Sequence, residues 1–347
     1  MTLNPFPAHQ YYNIPTSKHF LPSPPLNLTP PPSLPHNPKR WARMDSGPAS
    51  SPPQKDKLVV IMGATGAGKS RLSIDLASRF PSCSFEVINS DKIQVYKGLD
   101  ITTNKIPFPD RRGISHHLLG ELDPLDGELS PADFRRLAGR AVYDIATRKR
   151  VPMLVGGSNS LIHALLVDRF EPGVNVFENG AELASSELRY DCCFLWVDVS
   201  LVVLAEYLLK RVDEMLESGM YEELAEFCAT EDDEEVRTGL RKAIGVPEFS
   251  RFFKQFPPGR VHDQLRRGAA YNDAVKAIKD NTCQLAKKQI GKILRLKGSA
   301  KWDLQRLDAT EAFRAVLSSD GRRWSEIWEE QVVEPSVKIV KQFLAEE

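Results

Sequence analysis

Leu58-Val59-Val60-Ile61-Met62-Gly63-Ala64-Thr65-Gly66-Ala67-Gly68-Lys69-Ser70 decides how this chain folds. The five apolar residues read as a strand buried on both faces. The next eight match G-x-x-x-x-G-K-[ST], the loop that cradles phosphates between a strand and a helix. Helical periodicity follows through Leu72, Leu76 and Phe80, which supplies the helix the motif requires. Gly63, Ala64, Thr65, Gly66, Ala67 and Gly68 would turn successive backbone N–H groups inward. The helix N-terminus adds positive potential there. Lys69 brings a full charge to the terminal phosphate, and the Ser70 hydroxyl is placed to hold Mg²⁺. The motif alone leaves open which phosphate compound binds.

Working outward, Phe85-Glu86-Val87-Ile88 reads as a second strand ending at Asn89-Ser90-Asp91. Ser130 and Pro131 open a helix as N-cap and first helical residue. Val151 to Val155 is a third strand closed by Gly156-Gly157, and Cys192 to Val199 a fourth. An amphipathic helix runs from about Leu201 to Ser218 and stops at Gly219. Alternation of this kind predicts an α/β fold, a P-loop NTPase-like parallel sheet with helices on both faces. The expected division is a core over 57–218 and a smaller, mainly helical substrate lobe over 219–347 that packs back on it. Phe170 to Leu188, with Pro, Gly and Asn but no period, reads as a loop.

The bulk properties limit the function classes. The chain has 347 residues, 41% apolar, and a formal net charge of zero. That balance gives no sign of a large nucleic-acid-binding face, although a local basic surface stays open. No uninterrupted apolar run reaches membrane-spanning length. The five cysteines lack C-x-x-C spacing and suit a reducing compartment. Residues 1–56 differ from the rest. Fourteen of the 25 prolines precede Gln54, and Asp45 is the sole acidic residue before that point. This composition fits either a disordered tail or an organelle transit peptide.

Asp91 stands at the carboxyl end of the second strand, the edge where open α/β sheets bind ligands. It is either a general base facing the phosphate loop or a turn aspartate. Its surroundings, Asn89-Ser90-Asp91-Lys92-Ile93-Gln94-Val95-Tyr96-Lys97-Gly98-Leu99-Asp100-Ile101, resemble a segment of the isopentenyltransferases that prenylate adenine. The resemblance continues in order through Ser115 to Leu119, Ala132 to Arg136, Val155 to Ser160, Cys193 to Val199, Arg241 to Glu248 and Thr282 to Gln289. It spans roughly Lys57 to the C-terminus. Trp302 to Phe343 also resembles the plant adenylate isopentenyltransferases, which begin cytokinin synthesis.

The resemblance implies a prenyltransferase whose phosphate loop holds dimethylallyl diphosphate. The acceptor would be the N6 amino group of an adenine nucleotide, ADP or ATP ahead of AMP. Asp91 matches the family's base, while Lys69 and a Ser70-bound Mg²⁺ would stabilise the leaving diphosphate. Thr65 either reaches the leaving oxygen or packs the turn. Asp198, ending the fourth strand, either meets metal-bound water or the adenine amino group, or caps the next helix. Gly157 and Ser158 match a substrate loop, and Lys105 a lysine near the donor. Arg241, Lys242, Lys287 and Lys288 are candidates for the nucleotide's phosphates, or ordinary exposed helix charges. Adjacent His116 and His117 would face opposite ways in a strand and make a poor metal pair.

RNA-modifying relatives share this core, and those of eukaryotes usually add a C-terminal zinc finger. Here no cysteine follows Cys283 and no histidine follows His262. Bacterial RNA-modifying relatives lack the finger too, but with the neutral charge and the C-terminal resemblance to the plant enzymes, free nucleotide is the expected acceptor rather than transfer RNA. A small-molecule kinase is the competing enzyme class, and it should carry an arginine-rich lid. A non-catalytic nucleotide switch would need a guanine-reading motif; neither feature is apparent. By resemblance, the leader would direct the chain to plastids, with the cytoplasm as the alternative.

Overall fold

The computed structural model describes residues 55–81, 84–178, 187–230, 239–257, 263–318 and 323–346. The expectations for the leader up to residue 54 lie outside these residues, as does part of the loop after Phe170. Among the described residues no helix is long and apolar enough to cross a membrane.

The apolar run does form a central strand, β1 (Lys57–Gly63), and α1 (Lys69–Ser78) follows the Gly-rich turn. Next come β2 (Phe85–Asn89), a two-residue β3 (His116–His117), α2 (Pro131–Thr147), β4 (Val151–Gly156), α3 (Asn159–Leu166), β5 (Asp191–Asp198) and α4 (Leu201–Glu217). All pairings are parallel, and the six-stranded sheet has the order β3-β2-β4-β1-β5-β6. Alternate β1 side chains enter opposite cores. Leu58, Val60 and Met62 join one cluster, and Val59 and Ile61 the other. Burial on both faces is why this strand reads as an unbroken apolar run. Ser130 caps α2 as expected, its hydroxyl accepting from the Asp133 N–H at 3.1 Å.

The segment after Gly219 is mostly helical, with α5 (Met220–Thr230), α6 (Val246–Gln255) and α7 (Gln264–Gly298). It is not purely an added lobe. Residues 304–308 form β6 (Leu304–Asp308), which extends the core sheet beside β5. Leu304-Gln305-Arg306-Leu307-Asp308 carries no strand signal of its own, because it lies at a sheet edge and mixes polar with apolar residues. After β6 come α8 (Thr310–Leu317), α9 (Trp324–Trp328), a π turn (Glu329–Val333) and α10 (Glu334–Ala345).

This return path reaches the phosphate loop itself. Trp328 is buried, and its indole N–H donates to Asp75 of α1 at 3.1 Å. Its ring lies against Gly68, the left-handed N-cap of α1 at φ 91°, where an added Cβ would sit 2.7 Å from a ring carbon. Gly68→Ala therefore combines backbone strain with a clash into an enclosed ring. A loss of about 1–3 kcal/mol of stability is expected, measurable as a lower melting temperature of the otherwise unaltered chain.

Candidate active site

Three strand ends converge at the carboxyl edge of the sheet, where the chain order reverses around β1. The phosphate loop leaves β1, the Asp91 turn leaves β2, and Gly156-Gly157-Ser158 leaves β4 between them. The β2 and β4 exits are in close contact. A Cβ on Gly156 would sit 2.1 Å from the Ser90 carbonyl oxygen, so that position must be glycine. Ser158 donates its N–H to the Ser90 oxygen at 3.2 Å, and its hydroxyl accepts from the Lys92 N–H at 3.0 Å. The proposed substrate loop thus braces the Asp91 turn. Gly157 lies against the Gln289 side-chain amide.

Asp91 has the contacts of a turn aspartate, and its charge also reaches the phosphate loop. Its Oδ1 accepts from the N–H groups of Ile93 and Gln94, at 2.9 and 3.2 Å, as a turn aspartate does. No hydrogen bond to Oδ2 is found among the described residues. The carboxylate's charge also acts on the cradle, raising the proton affinity of both Lys69 and Arg211. Lys69 donates to the Ala64 carbonyl at 2.6 Å. Burial pulls its ammonium down to about 8, Asp91 opposing and the Arg211 charge adding to the depression. A diphosphate in the loop would supply the counter-charge that favours the protonated form.

Arg211 was not anticipated from sequence. It projects from α4 to donate to the Thr65 hydroxyl at 3.2 Å. Its Nη1 lies 3.3 Å from the position a Cβ would take on Gly66. Burial lowers its pKa, and its Nε is enclosed with no hydrogen-bond partner among the described residues. A half-buried guanidinium beside a phosphate loop, its Nε enclosed, suits an anion. A second unanticipated residue, Gln289 of α7, accepts the Thr65 N–H at 2.6 Å while its backbone oxygen takes the Asn159 amide at 3.1 Å. Both could have been noticed as polar residues on apolar helix faces. Arg211 follows Leu204, Tyr207 and Leu208, and Gln289 lies between Ala286 and Ile293.

The remaining candidates separate into distinct places. Asp198 does not cap α4, which has Ser200 at that position with no side-chain cap. It pairs with Arg306 of β6 at 2.7 Å. Both line a cavity of roughly 460 Å³ with Lys287 and Trp196. Lys242 instead pairs with Glu128, which also holds Lys92. These two candidate phosphate-binding lysines therefore stand apart, Lys287 on the β5–β6 side and Lys242 beside the Asp91 turn. Lys105 is buried, its ammonium donating to the Gly98 oxygen and to Asp100, each at 2.6 Å. These contacts tie it to its own loop. His117 meets Glu86 at 2.6 Å while His116 bonds the Ile114 oxygen, so the pair diverges as expected.

Ser70 lies exposed in the first turn of α1. Among the described residues no group of three or more His, Cys, Asp or Glu could hold a metal. One hydroxyl completed by diphosphate oxygens and water suits magnesium, which sheds its water reluctantly and favours phosphate ligands.

A phosphate loop after β1, an arginine beside it and a carboxylate at the end of β2, one strand removed across β4, define a P-loop α/β enzyme. The IPP transferase family profile matches residues 94–187 and 173–291, and the chain belongs to that family of prenyltransferases. It is 67% identical over 300 residues to an adenylate isopentenyltransferase of Humulus lupulus, covering 82% of this chain and 90% of that one. It is 57% identical to the chloroplastic adenylate isopentenyltransferase 1 of Arabidopsis thaliana, covering 84% and 82%. Other Arabidopsis relatives are named chloroplastic, and one mitochondrial. Among solved structures, a eukaryotic dimethylallyltransferase acting on tRNA aligns with a TM-score of 0.66 at 25% identity, covering 84% of this chain and 80% of that one.

Proposed function

We propose that the protein transfers the dimethylallyl group of dimethylallyl diphosphate to N6 of the adenine of a free nucleotide, ADP or ATP in preference to AMP. The observation that carries this reading is the electrostatic coupling of Asp91 to Lys69 and Arg211. It sets the Asp91 carboxylate close enough to the phosphate loop to act as base on an acceptor held there. The names of the relatives support the same acceptor class.

The adenine amino nitrogen is a weak nucleophile because its lone pair is delocalised into the ring. As it attacks C1 of the allylic donor, the C1–O bond breaks and diphosphate leaves. The N6 proton passes to the Asp91 carboxylate. The loop amides, Lys69 and Arg211 face the charge that grows on the departing diphosphate. Thr65, held by Arg211 and Gln289, presents its hydroxyl to the same group. The Ser70 hydroxyl is the residue that would hold magnesium, which supplies further neutralisation of the diphosphate. Lys92 and Lys242 stand next to the Asp91 turn and suit the nucleotide's own phosphates. By likeness to the chloroplastic relatives, we assign the chain to plastids.

The test offers the protein with Mg²⁺ and dimethylallyl diphosphate, in parallel, AMP, ADP, ATP and an unmodified transfer RNA. N6-prenylated products are detected by mass spectrometry. Product on ADP and ATP is expected. Product on the transfer RNA alone would place the chain with its structural neighbour in acceptor choice, and ATP turnover without prenylation would sink the reading.

A further inference from the structure

Glu128 stands at the centre of a cluster that the transfer step does not use. It comes from the loop before α2, Lys92 from the Asp91 turn, and Lys242 from a 3₁₀ turn at Gly239–Lys242. One carboxylate oxygen takes each ammonium. Lys292 of α7 belongs to the same field, for burial lowers its pKa and the charges of Lys92 and Lys288 lower it further. Two lysines thus hold one carboxylate, and the charge of one of them, Lys92, also reaches Lys292. Hydrogen bonds from Lys242 and then Lys92 hold the Glu128 carboxyl below its ordinary range.

The carboxylate is held in place by buried structure. The Tyr96 hydroxyl, almost wholly buried, donates to the Gly127 oxygen at 2.8 Å and accepts from the Leu129 N–H at 2.7 Å. A single phenol therefore pins the residues on both sides of Glu128. The carboxylate and its two lysines remain partly open to solvent, with side-chain exposures of 28%, 38% and 46%. A ligand can reach them. Lys92 is adjacent in sequence to the proposed base, so consecutive Cα atoms only about 3.8 Å apart link the cluster to the reacting centre.

We propose that Glu128 is a built-in stand-in for the outer phosphates of the acceptor nucleotide, a specificity-determining residue that those phosphates must displace. This rests on the free-nucleotide reading above. A carboxylate offers one charge on two oxygens. A terminal phosphate offers more charge on three, and so takes both lysines from it. The displaced carboxylate is left as a like charge beside the polyphosphate tail, so it weakens binding of ADP and ATP. AMP, whose one phosphate lies nearest the ribose, does not need the pair released. Glu128 therefore tempers the preference for polyphosphate nucleotides and keeps the lysines paired when none is bound.

The experiment compares the full chain with its Glu128→Gln variant at saturating dimethylallyl diphosphate, measuring kcat and KM for AMP, ADP and ATP. Glutamine keeps the shape and removes the charge. The expected result is a KM for ADP and ATP lower by about 3–10-fold, a much smaller change for AMP, and an effect on KM rather than kcat. A carboxylate that merely aligns the lysines gives the opposite sign, a higher KM for ATP in the variant, and that result or an unchanged KM overturns the proposal. Calorimetry of ATP binding with inorganic pyrophosphate in place of the donor reads the same difference without turnover. If wild type prenylates no free nucleotide, the functional reading fails, while the calorimetric comparison still decides whether Glu128 opposes a polyphosphate.

Discussion

Asp91→Asn is expected to lower the rate of prenyl transfer by ~10²–10⁴-fold, the range for loss of a positioned general base. The substitution suits the geometry. Asparagine keeps an oxygen where Oδ1 accepts from the Ile93 and Gln94 N–H groups, so the turn holds. What disappears is the charge and the proton acceptor. Removing a negative charge that acts on Lys69 and Arg211 leaves the cradle more positive, so the donor should bind at least as tightly. The expected signature is therefore a collapsed kcat with an unchanged or lower dissociation constant for the donor diphosphate. Single-turnover kinetics with a separate binding measurement would show it. A rate within tenfold of wild type would remove Asp91 from the role of base.

Arg211→Met should cost activity and spare stability. Methionine fills part of the same volume on α4 without the charge. The guanidinium is enclosed, its pKa lowered by burial, and it donates to Thr65 rather than to a carboxylate. Such a group destabilises the free protein and gains its counter-ion only when diphosphate arrives. A loss of ~10²–10³-fold in kcat is expected, comparable to removal of one preorganised donor to a developing anion. The melting temperature of the ligand-free variant should equal or exceed that of wild type, because a largely desolvated charge with only distant carboxylates to oppose it has been removed. The stabilisation that added diphosphate confers on wild type should shrink in the variant. A variant that melts well below wild type would assign Arg211 to packing instead.

The two substitutions probe residues that differ in how they could be found. Asp91 was visible because the chemistry sits at a strand end and because its flanking segment resembles a known family. The phosphate loop was visible for a stronger reason. A tight glycine turn between a buried strand and a helix is a local device, and every residue that makes it lies within Gly63 to Ser70. The strands of the core were equally legible wherever both faces are buried, since that burial demands an apolar run. β6 escaped notice because an edge strand need not be apolar throughout, and the boundary drawn at Gly219 missed its return to the sheet.

Local spacing thus determined the fold class, the phosphate loop and the strand-end position of Asp91, while the resemblance alone suggested its role as base. Only the tertiary structure decided what surrounds them. Thr65 meets Arg211 across 146 residues and Gln289 across 224, and Trp328 reaches Asp75 across 253. It also separated two candidate phosphate-binding lysines, sending Lys287 to the cavity with Asp198 and Lys242 to Glu128. The physical reason is common to all of these. A charge on a helix face has the same sequence signature whether water or a buried loop lies opposite. Which one does is set by the packing of α4, α7 and the C-terminal helices onto the sheet.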